Sequence, residues 1–118
     1  MRTGPTNEQL RRLIEELRKK AYAEKAMLWK RIAADLEKPT RNRRAVNLSR
    51  INRHAAEGET VVVPGKVLSS GVLEKPVTIA AWSFSRQAEE KISRANAKSM
   101  TIAELMSSSD GKNVRIIG

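Results

Sequence analysis

Apolar residues recur at Leu10, Leu13, Ile14 and Leu17, the i, i+3, i+4, i+7 spacing of one stripe along an α-helix. Thr6-Asn7-Glu8-Gln9 precedes the stripe as a capping box, in which Thr6 accepts from the Gln9 amide and Gln9 reaches back. The other face carries Arg11, Arg12, Glu15, Glu16, Lys19 and Lys20. Glu15–Lys19 and Glu16–Lys20 stand there in the favourable i,i+4 order. A second stripe, Leu28, Trp29, Ile32, Ala33 and Leu36, predicts a helix from Glu24 to Leu36 that Pro39 stops. Two short amphipathic helices with a brief join predict an antiparallel or angled hairpin that buries both stripes, Trp29 included.

Further along, the period changes. Asn47-Leu48-Ser49 ends a short strand and opens a helix, with Ser49 as N-cap over Arg50 to Ala56 and Gly58 as the stop. Thr60-Val61-Val62-Val63 is β-branched and continuously apolar, which predicts a buried strand. Pro64-Gly65 predicts a bulge or turn there rather than a central ladder, after which Val67-Leu68 resumes and Ser69-Ser70-Gly71 loops. Val77 to Phe84 predicts a strand covered on both sides, with Val77, Ile79 and Ala81 on one face and Thr78, Ala80, Trp82 and Phe84 on the other. Ser83 or Ser85 caps a helix through about Asn96 with Ala88, Ile92 and Ala95 inward. Thr101 and Glu104 have capping-box spacing ahead of one last short helix. Ser107 to Gly111 reads as a loop and Val114 to Ile117 as a closing strand. The expected architecture is therefore α/β (α+β): helices in 1–37, a connector over 38–48 and a β-β-α portion over 49–118, in one compact domain.

Charge changes this picture. Residues 38–53 hold six cations (Lys38, Arg41, Arg43, Arg44, Arg50, Arg53) and no acid, more than half of the formal net charge of +10. A proline followed by Arg-x-Arg-Arg neither continues a helix nor buries itself cheaply, so it belongs at the surface facing a polyanion. A membrane-surface helix would carry its charge opposite a wide apolar face, whereas this charge lies on a Pro-broken segment. Nucleic acid is the better match. No run approaches the length of a membrane span, and the first residues do not resemble a secretory signal. The absence of cysteine excludes disulfides and thiolate chemistry and suits a reducing compartment.

Catalytic constellations are not found. His54 is the only histidine, and a metal site needs three or four ligands. The adjacent acids Glu15-Glu16 and Glu89-Glu90 point to different sides of their helices, which does not suit shared work on a substrate. Val63-Pro64-Gly65-Lys66 lacks the two glycines of a P-loop; it is either a tight turn offering Lys66 and backbone amides to a phosphate, or a purely structural turn. Aromatic residues make up 3% of the chain, and Trp29, Trp82 and Phe84 are expected in the core. That disfavours single-strand readers built on base stacking and favours phosphate contact and shape recognition of folded RNA. Arginine's planar fork ranks Arg41, Arg43 and Arg44 above the helix lysines as phosphate ligands.

Arg43-Arg44-Ala45-Val46-Asn47-Leu48-Ser49-Arg50-Ile51-Asn52-Arg53, followed by Val61-Val62-Val63-Pro64-Gly65-Lys66-Val67-Leu68, resembles the signature of one ribosomal family. It is the archaeal and eukaryotic large-subunit family called "L eighteen e", a relative of bacterial large-subunit protein fifteen. The likeness continues through Trp29-Lys30-Arg31-Ile32-Ala33, Val77 to Ser85 and Val114 to Gly118, and the length resembles archaeal members. Trp82 departs from it, standing where phenylalanine is expected. The resemblance implies a structural, non-catalytic protein of the large ribosomal subunit in the cytoplasm, bound to its large rRNA beside neighbouring ribosomal proteins. It also implies irregular β-β-α turns, with the helices and basic segment extending onto RNA.

The residues expected to bind RNA are Lys38, Arg41, Asn42, Arg43, Arg44, Asn47, Arg50, Arg53 and Lys66. No cofactor, metal, small-molecule substrate, membrane or homo-oligomer is expected. The alternative is a duplex DNA binder of helix-turn-helix type, with the short helix after Ser49 as its reader. A small RNA-cleaving enzyme would need an acid–base pair that the sequence does not display.

Overall fold

A computed structural model of the chain describes residues 7–38, 44–108 and 114–117. The first stripe folds as α1 (Asn7–Glu24) and the second as α2 (Met27–Leu36). Glu24, expected to open the second helix, instead ends α1, and the chain reverses at Lys25 with φ of +53°. Left-handed backbone costs an L-residue roughly 1–2 kcal/mol, and glycine is its usual occupant after a helix. Lys20 bonds forward to Glu24 at 2.6 Å, not back to Glu16. Its Nζ lies 5.4 Å from the centroid of the Trp29 ring, a cation–π contact that ties α1 to α2. Arg18 reaches Glu37, just past α2. Apart from the half-buried Leu28, both apolar stripes are buried, as the hairpin requires, and Trp29 is fully enclosed. Thr6 of the first capping box lies outside the described residues.

Five parallel strands follow: β1 (Arg44–Asn47), β2 (Thr60–Leu68), β3 (Thr78–Phe84), β4 (Lys98–Thr101) and β5 (Val114–Ile116). The order is β1-β2-β3-β4, with β5 also on β2. Since β3 fills one edge of β2, the other edge is shared end to end. There β5 lies against Thr60–Val62 and β1 against Gly65–Leu68. Pro64, which has no N–H to donate, falls in the gap between them. The bulge expected at Pro64-Gly65 exists, but inside a central strand. From Val63↔Ala81 to Val67↔Phe84, β2 advances four residues while β3 advances three. Phe84 is thereby shifted to the face of Val67, away from Ala80 and Trp82 with which strict alternation grouped it.

Parallel strands need crossovers, and helices supply most of them. α3 (Leu48–His54) joins β1 to β2, α4 (Arg86–Arg94) joins β3 to β4, and α5 (Ile102–Ser108) lies between β4 and β5. One sheet face packs Val61, Val63, Val67 and Ile79 against Leu48 and Ile51 of α3 and Ala88 and Ile92 of α4. The other packs Val62 and Ala80 against the α1–α2 hairpin and Ile102 and Leu105 of α5. The result is a three-layer α/β arrangement with the sheet covered on both sides. Between Ser83 and Ser85, Ser85 is the cap of α4, its Oγ accepting from the Ala88 N–H at 3.1 Å. The Thr101–Glu104 box closes reciprocally: the Glu104 N–H donates to Thr101 Oγ1 at 3.0 Å and the Thr101 N–H to Glu104 Oε1 at 2.7 Å. α5 runs through Ser108, into residues expected to loop.

Ile79 is fully buried at the centre of the first core. Ile79→Ala is expected to cost about 2–5 kcal/mol of stability in denaturant unfolding. A cost below about 1 kcal/mol would mean that this face is not closely packed.

Candidate nucleic-acid interface

A seven-residue helix has little stability of its own, so α3 depends on what grips it. Leu48, Ile51 and Ala55 face the core, while Arg50, Arg53 and His54 are exposed on the outer side. The loop after β2 clamps the helix at both ends. At its start the Ser49 N–H donates to the Ser70 carbonyl at 3.1 Å, and Asn47 Oδ1 accepts from the Ser70 N–H at 3.1 Å. At its end Asn52 Oδ1 accepts from the Glu74 N–H at 2.9 Å, and Lys75 Nζ donates to the Ala55 carbonyl at 2.9 Å. Lys91 of α4 steadies the loop from behind, donating to the Ser69 and Gly71 carbonyls at 2.8 and 2.9 Å.

This network corrects two sequence expectations. Ser49 is not the N-cap: Asn47 occupies that position, and its carboxamide is turned to the loop rather than to the helix. The orphan N–H of the first turn is satisfied instead by a loop carbonyl. Gly58 does not close α3, which ends at His54. With φ of +80° it turns the chain into β2, where the Glu59 N–H bonds the Ala56 carbonyl.

Beside the exposed face of α3 lies Arg115 of β5. Arg50, His54 and Arg115 line a small open cavity of about 220 Å³ floored by Ile116 and Ile117. Glu59 positions the arginine, accepting from the Ala56 N–H at 2.8 Å and from Arg115 Nε at 2.9 Å. These bonds, the Ala56 amide first, hold the Glu59 carboxyl below the usual carboxylate range. Three nitrogen-bearing side chains around one concavity could donate to a phosphate-sized anion. Sequence inspection singled out Arg50 alone of the three as a ligand. Arg115 lies in a far strand, and only the β2–β5 pairing brings it here.

The remaining expected ligands divide. Arg53 shares the outer side of α3 with Arg50. Lys66 is exposed on β2 in register with Ala45, so it flanks the basic segment where that segment joins the sheet. Lys38 is exposed at the other end of the segment, its Nζ 3.2 Å from Asp35 Oδ1. Pro64 and Gly65 are buried in β2, Gly65 in register with Arg44, so no turn offers bare amides there. Asn47 is committed to the Ser70 amide. Arg41, Asn42 and Arg43 lie outside the described residues, as does the Arg44 side chain. The helix-turn-helix alternative needs two helices joined by a tight turn, but β1 stands between α2 and α3.

The sequence model of the family described as ribosomal proteins 50S-L15, 50S-L18e and 60S-L27a matches residues 8–99. The large ribosomal subunit protein eL18 of Methanothermobacter thermautotrophicus is 50% identical over 113 residues, covering 95% of this chain and 93% of the relative. The protein of the same name from Methanopyrus kandleri is 44% identical, covering 98% and 95%. That of Sulfurisphaera tokodaii is also 44% identical, covering 98% and 96%.

Two substitutions test the clamp. Gly71 has φ of +90°, and a Cβ there would meet Ser49 Cβ far inside contact distance. Gly71→Ala is expected to cost about 1–3 kcal/mol in denaturant unfolding and to displace the start of α3, read as shifted amide resonances of Ser49 and Arg50. A depressed carboxylate contributes stability above its unfolded pKa, and that contribution is lost as pH falls through its folded one. Glu59→Gln should therefore lower the melting temperature at about pH 7, and the gap to the parent should close below about pH 4. A gap independent of pH would show that the Glu59 charge is not what stabilises this corner.

Proposed function

We propose that this chain, which belongs to the family of ribosomal proteins 50S-L15, 50S-L18e and 60S-L27a, is a structural constituent of the large ribosomal subunit that braces folded large-subunit rRNA and has no catalytic role. The observation that carries the RNA contact is the outer side of α3, where Arg50, Arg53 and His54 are held outward by the loop clamp with Arg115 beside them. The contact set is Arg41, Asn42, Arg43 and Arg44 of the basic segment, Lys38 and Lys66 at its flanks, and Arg50 and Arg53 on α3. Asn47 contributes by fixing the loop through Ser70, which sets the angle of α3. Guanidinium groups on a rigid support suit phosphates whose spacing is fixed by RNA tertiary structure. Neighbouring ribosomal proteins are the other partners of this reading, and the cytoplasmic ribosome is its location. Among the described residues no helix is long and apolar enough to cross a membrane.

If the six cations of residues 38–53 each displace a counterion, the log–log salt slope of binding to rRNA is roughly −4 to −5. Arg43→Ala with Arg44→Ala should weaken binding, flatten the slope by roughly 1.5–2, and leave the melting temperature unchanged. The measurement is filter binding across a salt series, paired with a thermal melt. An equal loss of thermal stability would count against a phosphate-binding role for the pair.

A further inference from the structure

We propose that the corner between α1 and α2 is a second RNA contact, at which an unpaired nucleobase stacks on Tyr22 while its flanking phosphates meet Lys25 and Lys30. The inference rests on the RNA-bracing reading above and adds a ligand class, the unstacked nucleotide, which the basic segment does not serve.

Tyr22 is 88% exposed and Met27, across the turn, 65% exposed. With Ala21 and Ala26 they line an open groove of about 620 Å³ whose remaining walls are Arg18, Lys25 and Lys30. No acid lines it. Arg18 is engaged with Glu37, and Glu24, next in the chain, is engaged with Lys20, so the charge offered to a ligand is that of Lys25 and Lys30. Lys25 sits at φ of +53°, in a backbone conformation that glycine adopts more cheaply. A cation thus occupies the strained position in the same groove as the exposed ring.

Of the four aromatic residues in the chain, Trp29 is fully buried, and Trp82 and Phe84 are half-buried against the two cores. Tyr22 is the ring presented for stacking. A neighbouring protein's apolar segment would cover Tyr22 and Met27 but would leave two ammonium groups facing it. A nucleotide answers both features, with a planar face for the ring and an anion for the lysines. Charge complementarity therefore favours RNA as the occupant.

The test is a salt series of dissociation constants for the full chain with in vitro transcribed large-subunit rRNA. Stacking releases no counterion, so Tyr22→Ala should weaken binding about 5- to 100-fold at every salt concentration without changing the slope. Tyr22→Phe keeps the ring and should stay within about twofold of the parent. Lys25→Ala with Lys30→Ala should flatten the slope by about 1.5. The exposure of Tyr22 makes misfolding of its variants easy to check by a thermal melt. If Tyr22→Ala binds rRNA like the parent while the Arg43/Arg44 double variant is weakened, stacking is wrong and the bracing function stands. If the parent itself does not bind rRNA, both fall. If Tyr22→Ala keeps full rRNA affinity but enters reconstituted large subunits poorly, the groove belongs to a neighbouring protein and the proposal is overturned.

Discussion

β2 is the strand on which the rest of the structure depends. It pairs with three others, separates the two apolar cores, and is buried along Val61 to Gly65. A parallel strand in that position tolerates a proline only where no neighbour needs its missing N–H, and Pro64 meets that condition by falling between β5 and β1. The same interruption allows two strands to share one edge. β1 therefore delivers the basic segment to the sheet beside Gly65 and Lys66, and β5 delivers Arg115 to the side of α3.

From that arrangement the interface follows by local chemistry. α3 is too short to direct its charges unaided, so its angle is set by the loop between β2 and β3, through backbone and side-chain bonds at both ends. The bonds are made by Asn47, Ser49, Asn52, Lys75 and Lys91, none of which needs to touch a ligand. Arg50 and Arg53 remain on the outside because Leu48, Ile51 and Ala55 take the buried positions. As the proposed RNA contact, such a surface would cost little to desolvate and would bind by counterion release rather than enclosure, which fits a large polyanion better than a small molecule.

Much of this was legible in the sequence, and the misses have physical causes. The stripes of α1 and α2, the Val-rich β2, and the reciprocal box of Thr101 and Glu104 could all be read, because periodicity and capping are local. β4 could not: Lys98 to Thr101 is an edge strand with mostly exposed, polar residues and no alternating signal. The phase of Phe84 was lost to the bulge, which alternation within one strand cannot reveal. The bond from the Ser70 N–H to Asn47 Oδ1, which joins the loop to the start of α3, links residues too far apart in sequence to be read locally. Arg115 and the exposed corner at Tyr22 depend on tertiary placement, and composition showed only that aromatic rings were scarce.

The most direct test of the central claim is sedimentation of a lysate of the source cell on a sucrose gradient, in low and then moderate salt, following this chain. Co-migration with the large ribosomal subunit that survives the higher salt is the expected result. A chain that stays at the top of the gradient, or follows chromosomal DNA, would contradict it.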